Sequence, residues 1–327
     1  SGHPNTFFHE VEVTSYPLFK YPPYTLALAT KLVEVHRKSR LDVIHVHYAI
    51  PHAISAYLCC EMLGQDERPK TITTLHGTDI TLVGLDSSFF DITRFSLDRS
   101  DGLTAVSEYL AEETRQRFQP QHDVRVIHNF VDSDVFTPSL RNDERRKKFI
   151  HPGGLLIGHL SNFRPVKRVL DVVRAFQILH RTLPAKLLMI GEGVDLEPAR
   201  NLAAELGVLD HVTFLGAINN VPEVLAQLDL FVLPSEYESF GLAALEAMAC
   251  GVPVSEPTCI AQMAYELLVD EDRRLAMGKA ARAKAVERFP LARVVDEYER
   301  HYFEVLAGEE GGRQTRRQTG RQEVGDS

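Results

Sequence analysis

Short runs of β-branched and aliphatic residues alternate along this chain with longer stretches whose apolar positions recur every three to four residues. The first pattern is that of strands and the second that of helices, so the alternation predicts parallel α/β architecture. In the first half, strands are expected at 7–13, 42–47, 71–75, 102–106 and 124–127, and helices at 25–38, 53–63 and 89–99. Val-Ile-His-Val-His and Thr-Ile-Thr-Thr-Leu are too apolar for a sheet wetted on one side, so both faces of the first sheet are expected to be covered.

Residues 137–154 interrupt this pattern. They are polar and charged, broken by Pro138, Pro152, Gly153 and Gly154, and read as a linker between domains. A second series follows: strands at 155–160, 186–190, 211–215 and 230–233, and helices at 166–180, 195–206, 221–228 and 240–250. Two series of similar size predict two Rossmann-like domains facing each other across a cleft, with ligand-binding motifs just after the strands. The expected division is 1–140 and 141–289, then a helix over 290–307 with an apolar stripe through Val294, Val295, Tyr298, Tyr302, Phe303 and Leu306. Residues 308–327, rich in Gly, Arg, Gln and Thr, read as a disordered tail.

Composition narrows the partners. The 327 residues carry a formal net charge of -9, which argues against nucleic acid held by bulk electrostatics. An anionic ligand must then be held by a few placed cations or a helix N-terminus. No run is long and apolar enough to cross a bilayer. Cys59, Cys60, Cys250 and Cys259 show no C-x-x-C spacing and read as reduced, mostly buried thiols of a cytoplasmic protein. The start at Ser1, without an initiator Met or a signal pattern, reads as a chain cut in mid-fold.

Candidate chemistry clusters after the expected strands. Ser235-Glu236-Tyr237-Glu238-Ser239-Phe240-Gly241 precedes a helix in which Ser239 is a candidate cap, Gly241 clears a path to the backbone, and Glu246 lies roughly two turns in. Such a helix start offers N–H groups to a diphosphate, and a carboxylate at the depth of Glu246 can accept hydrogen bonds from ribose hydroxyls. The bland alternative is a capping Glu and an exposed one. Ser161-Asn162-Phe163-Arg164-Pro165-Val166-Lys167-Arg168 places cations at a helix start, against the macrodipole, where an anionic ligand would explain them and a solvated basic turn is the alternative.

In the first half, His76-Gly77-Thr78-Asp79 follows a strand, and His76 is a candidate for a sugar hydroxyl or the reacting centre. His45 and His47 share a strand face, yet nothing nearby completes a metal-ligand set, so no metal is expected. Tyr48 at that strand's tip is the better candidate for contacting an acceptor. Arg94 is either a surface residue or an anion clamp, and Ser107 and Asn129 contact ligand or close turns. No Walker loop, nucleophile elbow or zinc-protease motif occurs.

Glu238 and Glu246 stand in the E-x7-E arrangement of the family-4 retaining glycosyltransferases of the GT-B fold, which this chain resembles. The run Glu246-Ala247-Met248-Ala249-Cys250-Gly251-Val252-Pro253 strengthens the match. Further stretches resemble the branch that joins N-acetylglucosamine to L-malate in bacillithiol biosynthesis: Phe19-Lys20-Tyr21-Pro22-Pro23-Tyr24, His45-Val46-His47-Tyr48-Ala49-Ile50-Pro51-His52-Ala53, Thr73-Thr74-Leu75-His76-Gly77-Thr78-Asp79, and His128-Asn129-Phe130.

The resemblance implies transfer from UDP-GlcNAc with retention, without a cofactor or essential metal, the leaving phosphate helping to deprotonate the malate hydroxyl. It implies that Arg164 and Lys167, with Asn162, Ser239, Phe240 and Gly241, serve the diphosphate end of the donor. Glu246 would serve the ribose and Glu238 the sugar ring, with His76 near its hydroxyls, making His76, Lys167 and Glu238 the catalytic set. Tyr48, Thr78, Arg94 and Asn129 would hold the small anionic acceptor. Another acceptor (an inositol phosphate or a glycan), or a non-catalytic nucleotide-sugar-binding remnant, are the rival readings. A homodimer is admitted without being implied. Two departures stand out: the family's first strand and Gly-rich loop precede the start of this sequence, and its Gly-Gly-x-Pro-Glu loop is replaced after Val254 by Ser255-Glu256-Pro257-Thr258.

Overall fold

The computed structural model of the protein describes residues 5–13, 21–255 and 260–308. The expected tail from 309 onward and the junction after Ser255 therefore lie outside the described residues. The chain forms two compact units. One runs through His128 and resumes at Asp296; the other is Asn129–Val295.

The first unit holds a parallel sheet of β1 (Val43–His47), β2 (Lys70–Leu75), β3 (Gly102–Ala105) and β4 (Val124–Val126), in the order β1-β2-β3-β4. Its helices are α1 (Tyr24–Ser39), α2 (Ile54–Leu63), the single turn α3 (Thr78–Thr81), α4 (Phe90–Arg99) and α5 (Glu108–Phe118). β2 and β3 are buried almost throughout, as the apolar runs required, and their threonines are satisfied sideways: Thr73 bonds Ser100 at 2.7 Å and Thr74 bonds Thr104 at 2.6 Å.

The expected strand at 7–13 does not form. The segment is irregular, with Phe7 and Phe8 77% and 90% exposed. An alternating run becomes a strand only where a neighbour completes its ladder, and β1 pairs only with β2 among the described strands.

The second unit holds β5 (Leu155–Leu160), β6 (Ala185–Ile190), β7 (Val212–Gly216), β8 (Leu230–Val232) and β9 (Val254–Ser255), all parallel, in the order β7-β6-β5-β8-β9. Its helices are α6 (Asp143–Arg146), α7 (Val169–His180), α8 (Leu196–Glu205), α9 (Val221–Leu225), α10 (Leu242–Ala249), α11 (Ile260–Val269) and α12 (Glu271–Arg288). Apolar residues of α7 and α8 pack with Leu187, Met189 and Leu230 in one core. Val224, Leu225, Ala247 and Cys250 pack with Leu156, Leu188 and Phe231 in another. Full burial of a side chain such as Phe176 or Phe231 contributes about 1.5–3 kcal/mol.

Two boundary expectations are corrected. Residues 137–154 are not a free linker: they form a 3₁₀ turn at Pro138–Leu140 and α6, and belong to the second unit. The buried Asp229 holds them, pairing with Arg141 at 2.7 Å and Arg146 at 2.5 Å while accepting the Leu156 N–H at 2.8 Å. The charged composition that suggested a linker includes two arginines that a buried carboxylate recruits. The last helix, α13 (Leu291–Ala307), is likewise no separate piece. From Asp296 it belongs to the first unit, where Tyr302 bonds His45 at 2.7 Å and His301 and Val305 meet Gly102 so closely that a Cβ there would clash.

Cys59, Cys60 and Cys250 are free and buried, and burial pushes the Cys59 and Cys250 thiols up to about 12, which makes them unreactive. Cys259 lies outside the described residues.

Asp229→Ala should destabilise the protein by about 3–5 kcal/mol, because it strands Arg146 in a largely buried place without its carboxylate. Urea denaturation followed by circular dichroism measures this. A loss below about 1 kcal/mol would mean that Asp229 does not hold the 137–154 segment.

Candidate active site

In the second unit the strand order reverses beside β5, with β6 on one side and β8 on the other. Open parallel sheets bind ligands at this place, where the loops leaving two neighbouring strands diverge. The loop after β5 carries Ser161–Arg168 and the loop after β8 carries Leu233–Gly241. A hydrogen bond from the Glu236 N–H to the Val166 carbonyl, 3.0 Å, clips them together. Across that clip Lys167 Nζ lies 2.7 Å from Glu238 Oε2, each side chain partly shielded from solvent. The structure thus brings Lys167 and Glu238 into direct contact.

Lys167 does not lie in the helix, as the sequence pattern suggested. It ends a 3₁₀ turn at Pro165–Lys167, and Arg168, in the left-handed region at φ 52°, separates that turn from α7. Arg168 is neutralised within its own helix by Asp171 at 2.7 Å. Asn162 and Arg164 are exposed, and Arg164 makes no ion pair among the described residues. Of the three cations in this motif, Lys167 faces the opposite loop and Arg164 remains available to an anion.

Below them the fully buried Phe163 anchors the loop. Its N–H donates to the Glu192 carbonyl at 2.8 Å and its carbonyl accepts from the Asp195 N–H at 3.0 Å. Gly191 and Gly193 permit this contact. A Cβ on either would lie 1.9 Å from the Ser161 carbonyl oxygen or 2.4 Å from that of Phe163, and both residues have positive φ. Sequence reasoning missed this brace, although Gly-x-Gly directly after β6 was the available signal.

His159 was missed as well. It is completely buried, and its Nδ1 lies 2.9 Å from the Val232 carbonyl, which can only accept, so Nδ1 carries the proton. Nε2 then accepts from the Ser161 hydroxyl at 2.8 Å. Burial and the nearby Lys167 push His159 down to about 4, keeping it neutral. This side chain joins β5 to β8 beyond the end of their ladder, which closes at Gly158 and Phe231.

Two details of the helix after β8 are corrected. Its first residue is Leu242 and its cap is Gly241 at φ 84°, with no side-chain cap from Ser239. Gly241 is required by that left-handed geometry, because a Cβ would find only ordinary contacts. Glu246 accordingly lies about one turn into α10 rather than two. Burial alone raises its carboxyl to about 7, and no group among the described residues bonds it. The Phe240 ring packs edge-on against Phe289, centroids 5.2 Å apart, in a cluster with Val131 and Leu245. Its ring therefore serves the unit's own packing.

In the first unit, Asp79 organises the ends of β1 and β2. This buried carboxylate accepts the Ala49 N–H at 2.9 Å on one oxygen, and those of Gly77 at 2.9 Å and His76 at 3.3 Å on the other. Burial pushes Asp79 up, while these three bonds oppose the shift. Sequence reading named Asp79 and gave it no role; its bonds run back to the N–H groups of His76 and Gly77 and across to Ala49, a pattern that no local turn signal announces.

The same turns present Tyr48, at φ 76°, beside His76, ring centroids 4.9 Å apart. His76 Nε2 lies 2.8 Å from His47 Nδ1, and burial, with His47 adjacent, pushes His76 down to about 4. Thr78 is exposed at the start of α3, and Arg94 is exposed on α4 without an ion pair among the described residues. Asn129, half-buried, opens the second unit, so it does not share a unit with Tyr48, Thr78 and Arg94.

Comparison with known proteins matches this geometry to one family. Residues 2–135 match Glycosyltransferase Family 4, and residues 141–255 match Glycosyl transferases group 1. The N-acetyl-alpha-D-glucosaminyl L-malate synthase of Bacillus anthracis is 42% identical over 95% of this chain and 87% of its own length. A D-inositol 3-phosphate glycosyltransferase of Stackebrandtia nassauensis is 31% identical over 65% of this chain and 52% of its own. Among solved structures, the sucrose-phosphate synthase of Thermosynechococcus elongatus superposes with a TM-score of 0.74 at 19% identity, covering 94% of this chain and 87% of that one. Anabaena Alr3699/HepE in complex with UDP and glucose gives 0.71 at 18% identity, covering 86% and 81%. These structural likenesses establish the GT-B fold, and the sequence matches establish that the chain belongs to the family-4 glycosyltransferases.

Proposed function

We propose that this glycosyltransferase moves N-acetylglucosamine from UDP-GlcNAc to L-malate with retention of configuration, the first step of bacillithiol biosynthesis. The observation that carries this acceptor is the 42% identity to the malate synthase over nearly the whole chain. The transferase chemistry rests on the second unit, where Lys167 and Glu238 meet beside the reversal in strand order and α10 carries Glu246, a largely shielded carboxyl without a partner among the described residues.

Lys167 and Arg164 take the diphosphate, with Asn162 and the backbone of Ser239, Phe240 and Gly241 completing that end. Glu246 accepts from the ribose hydroxyls and Glu238 from the sugar ring. In the first unit, His76 meets a substrate hydroxyl, while Tyr48, Thr78 and Arg94 hold the carboxylates of malate. The bond from the anomeric carbon to the phosphate oxygen breaks with its electron pair leaving on UDP. The malate oxygen bonds that carbon, and the hydroxyl proton passes to the departing phosphate. Lys167 stabilises the charge growing on that phosphate, where a preorganised cation is most effective. No cofactor or metal is required beyond the UDP-sugar co-substrate. We place the reaction in the cytoplasm, and no described helix is long and apolar enough to cross a membrane. A homodimer is compatible with this reading.

The deciding experiment is product analysis by mass spectrometry with UDP-GlcNAc and either L-malate or D-inositol 3-phosphate. N-acetylglucosaminyl-malate is expected, with the rate unchanged by a chelator. A product with inositol phosphate alone would move the chain to its other relatives' acceptor, and donor binding without release of UDP would make it a non-catalytic binder.

Lys167→Ala should lower kcat by about 10²–10³-fold while changing donor affinity much less, because the lost charge matters most as the phosphate departs. Equal losses in kcat and affinity would assign Lys167 to ground-state binding.

Glu246 yields a pH test whose sign is fixed. Its carboxyl is raised to about 7 in the free protein, and ribose hydroxyls favour the ionised form, so binding of UDP-GlcNAc, whose two phosphates are both esterified and do not titrate in this range, should expel a proton below that pH. Affinity should therefore rise as pH increases from about 5.5 to 7 and level off above. Calorimetry in buffers of different ionisation enthalpy should detect the released proton. In Glu246→Gln both the release and the slope should vanish, and their persistence would remove Glu246 from the ribose.

A further inference from the structure

The ends of β1 and β2 carry four histidines whose ring nitrogens can be accounted for one by one. His45 is spent on structure: Nδ1 meets the Tyr302 hydroxyl and Nε2 the Thr74 hydroxyl, each at 2.7 Å. His52 Nδ1 lies 2.6 Å from the His47 carbonyl, which can only accept, so His52 carries its proton there and braces the His47 backbone. His47 and His76 share one contact, Nδ1 to Nε2 at 2.8 Å. His47 Nε2 and His76 Nδ1 have no hydrogen-bond partner among the described residues.

A hydrogen bond between two neutral imidazoles requires one protonated and one bare nitrogen, which leaves two assignments. In one, His76 Nε2–H donates to a bare His47 Nδ1, and both rings are Nε2–H tautomers. In the other, His47 Nδ1–H donates to a bare His76 Nε2, and both rings are Nδ1–H tautomers. A neutral histidine side chain without other partners favours Nε2–H. The first assignment gives both rings their favoured form, and the second gives it to neither. Burial depresses both groups, so an imidazolium with donors on both nitrogens does not compete near neutral pH.

We infer that His47 is a positioning residue that takes the Nε2 proton of His76 and thereby leaves His76 Nδ1 as an acceptor reserved for a substrate hydroxyl. The Tyr48 ring, 4.9 Å from that of His76, and the Asp79 carboxylate on the His76 N–H hold the imidazole in place. A bare nitrogen rejects carboxylate and phosphate oxygens, which also only accept, and selects O–H. This rests on the proposed placement of His76 at a substrate.

The test begins with the tautomers, which need no turnover. Long-range ¹H–¹⁵N correlation spectra of the ¹⁵N-histidine-labelled full chain at pH 7.5, assigned through single variants at His47 and His76, should show His76 protonated at Nε2 and bare at Nδ1. A proton on His76 Nδ1 overturns the inference and leaves the proposed reaction standing.

Turnover then tests the coupling. His76→Phe and His47→Gln should each lower kcat/KM by about tenfold, on the order of one hydrogen bond, and the double variant should lose little more. His47→Asn, whose amide reaches the place of Nδ1 as the longer Gln does not, should recover most of the loss. Additive losses, or equal behaviour of Asn and Gln at 47, also overturn the inference. Full activity of His76→Phe removes His76 from the substrate and overturns both this inference and that part of the proposed site. Two arms locate the hydroxyl. If it belongs to the sugar, one deoxy analogue of UDP-GlcNAc should lose affinity in wild type and no further in His47→Gln. If it belongs to the acceptor, His47→Gln should weaken malate binding and spare succinate.

Discussion

The reversal of strand order beside β5 is the constraint on which the second unit depends. At that place the loops leaving β5 and β8 part, and the backbone groups at their roots lose the ladder that satisfies them elsewhere. Much of the surrounding structure repairs this loss. His159 donates to the Val232 carbonyl, Glu236 to that of Val166, and Phe163 exchanges two backbone bonds with Glu192 and Asp195. The roots of both loops are tied by backbone and buried side chains, while Lys167 and Glu238, the groups with chemistry to offer, meet across them, each partly shielded from solvent.

The first unit solves the related problem with charge instead of ladder. The turns after β1 and β2 are held by one buried carboxylate, Asp79, which collects three N–H groups. A buried acid is expensive unless its lone pairs are used, and here they are. The same turns set Tyr48, His47 and His76 in mutual contact. Rigid scaffolding below and reactive groups above is the arrangement that transition-state positioning demands.

The α/β alternation, and with it the fold, was legible because buried parallel strands must be apolar on both faces: β5 spans the expected residues, and β2, β3 and β6 begin within one residue of expectation. Legibility failed where structure depended on a distant partner. The run at 7–13 alternates like a strand, but alternation cannot supply a neighbour. Arg141 and Arg146 look solvated in sequence and become anchors because Asp229 is buried more than 80 residues away. Ser239 satisfied the composition of a cap, yet the left-handed Gly241 took that position. Most candidate residues were chosen by their place after strands. What no local pattern could reveal was their pairing: Lys167 with Glu238, His76 with His47, and Glu246 with nothing.

That pattern of pairing bears on how an acidic chain can recognise a nucleotide sugar. With a net charge of -9 there is no general attraction for a diphosphate, so recognition must be local. The donor is an anion at one end and a set of hydroxyls at the other, and the two ends ask for opposite partners. On the proposed reading, Lys167 and Arg164 meet the anion. The ribose hydroxyls meet a carboxyl that burial has kept free of full charge, Glu246 near 7, and in the first unit His76, near 4, faces a substrate hydroxyl in the same neutral state. A carboxyl poised in this way becomes a strong acceptor only when hydroxyls arrive to stabilise its ionised form, and a neutral imidazole offers a lone pair without attracting stray anions. Burial at the strand ends therefore does more than stabilise the fold. It withholds charge from positions where charge would bind the wrong end of the ligand.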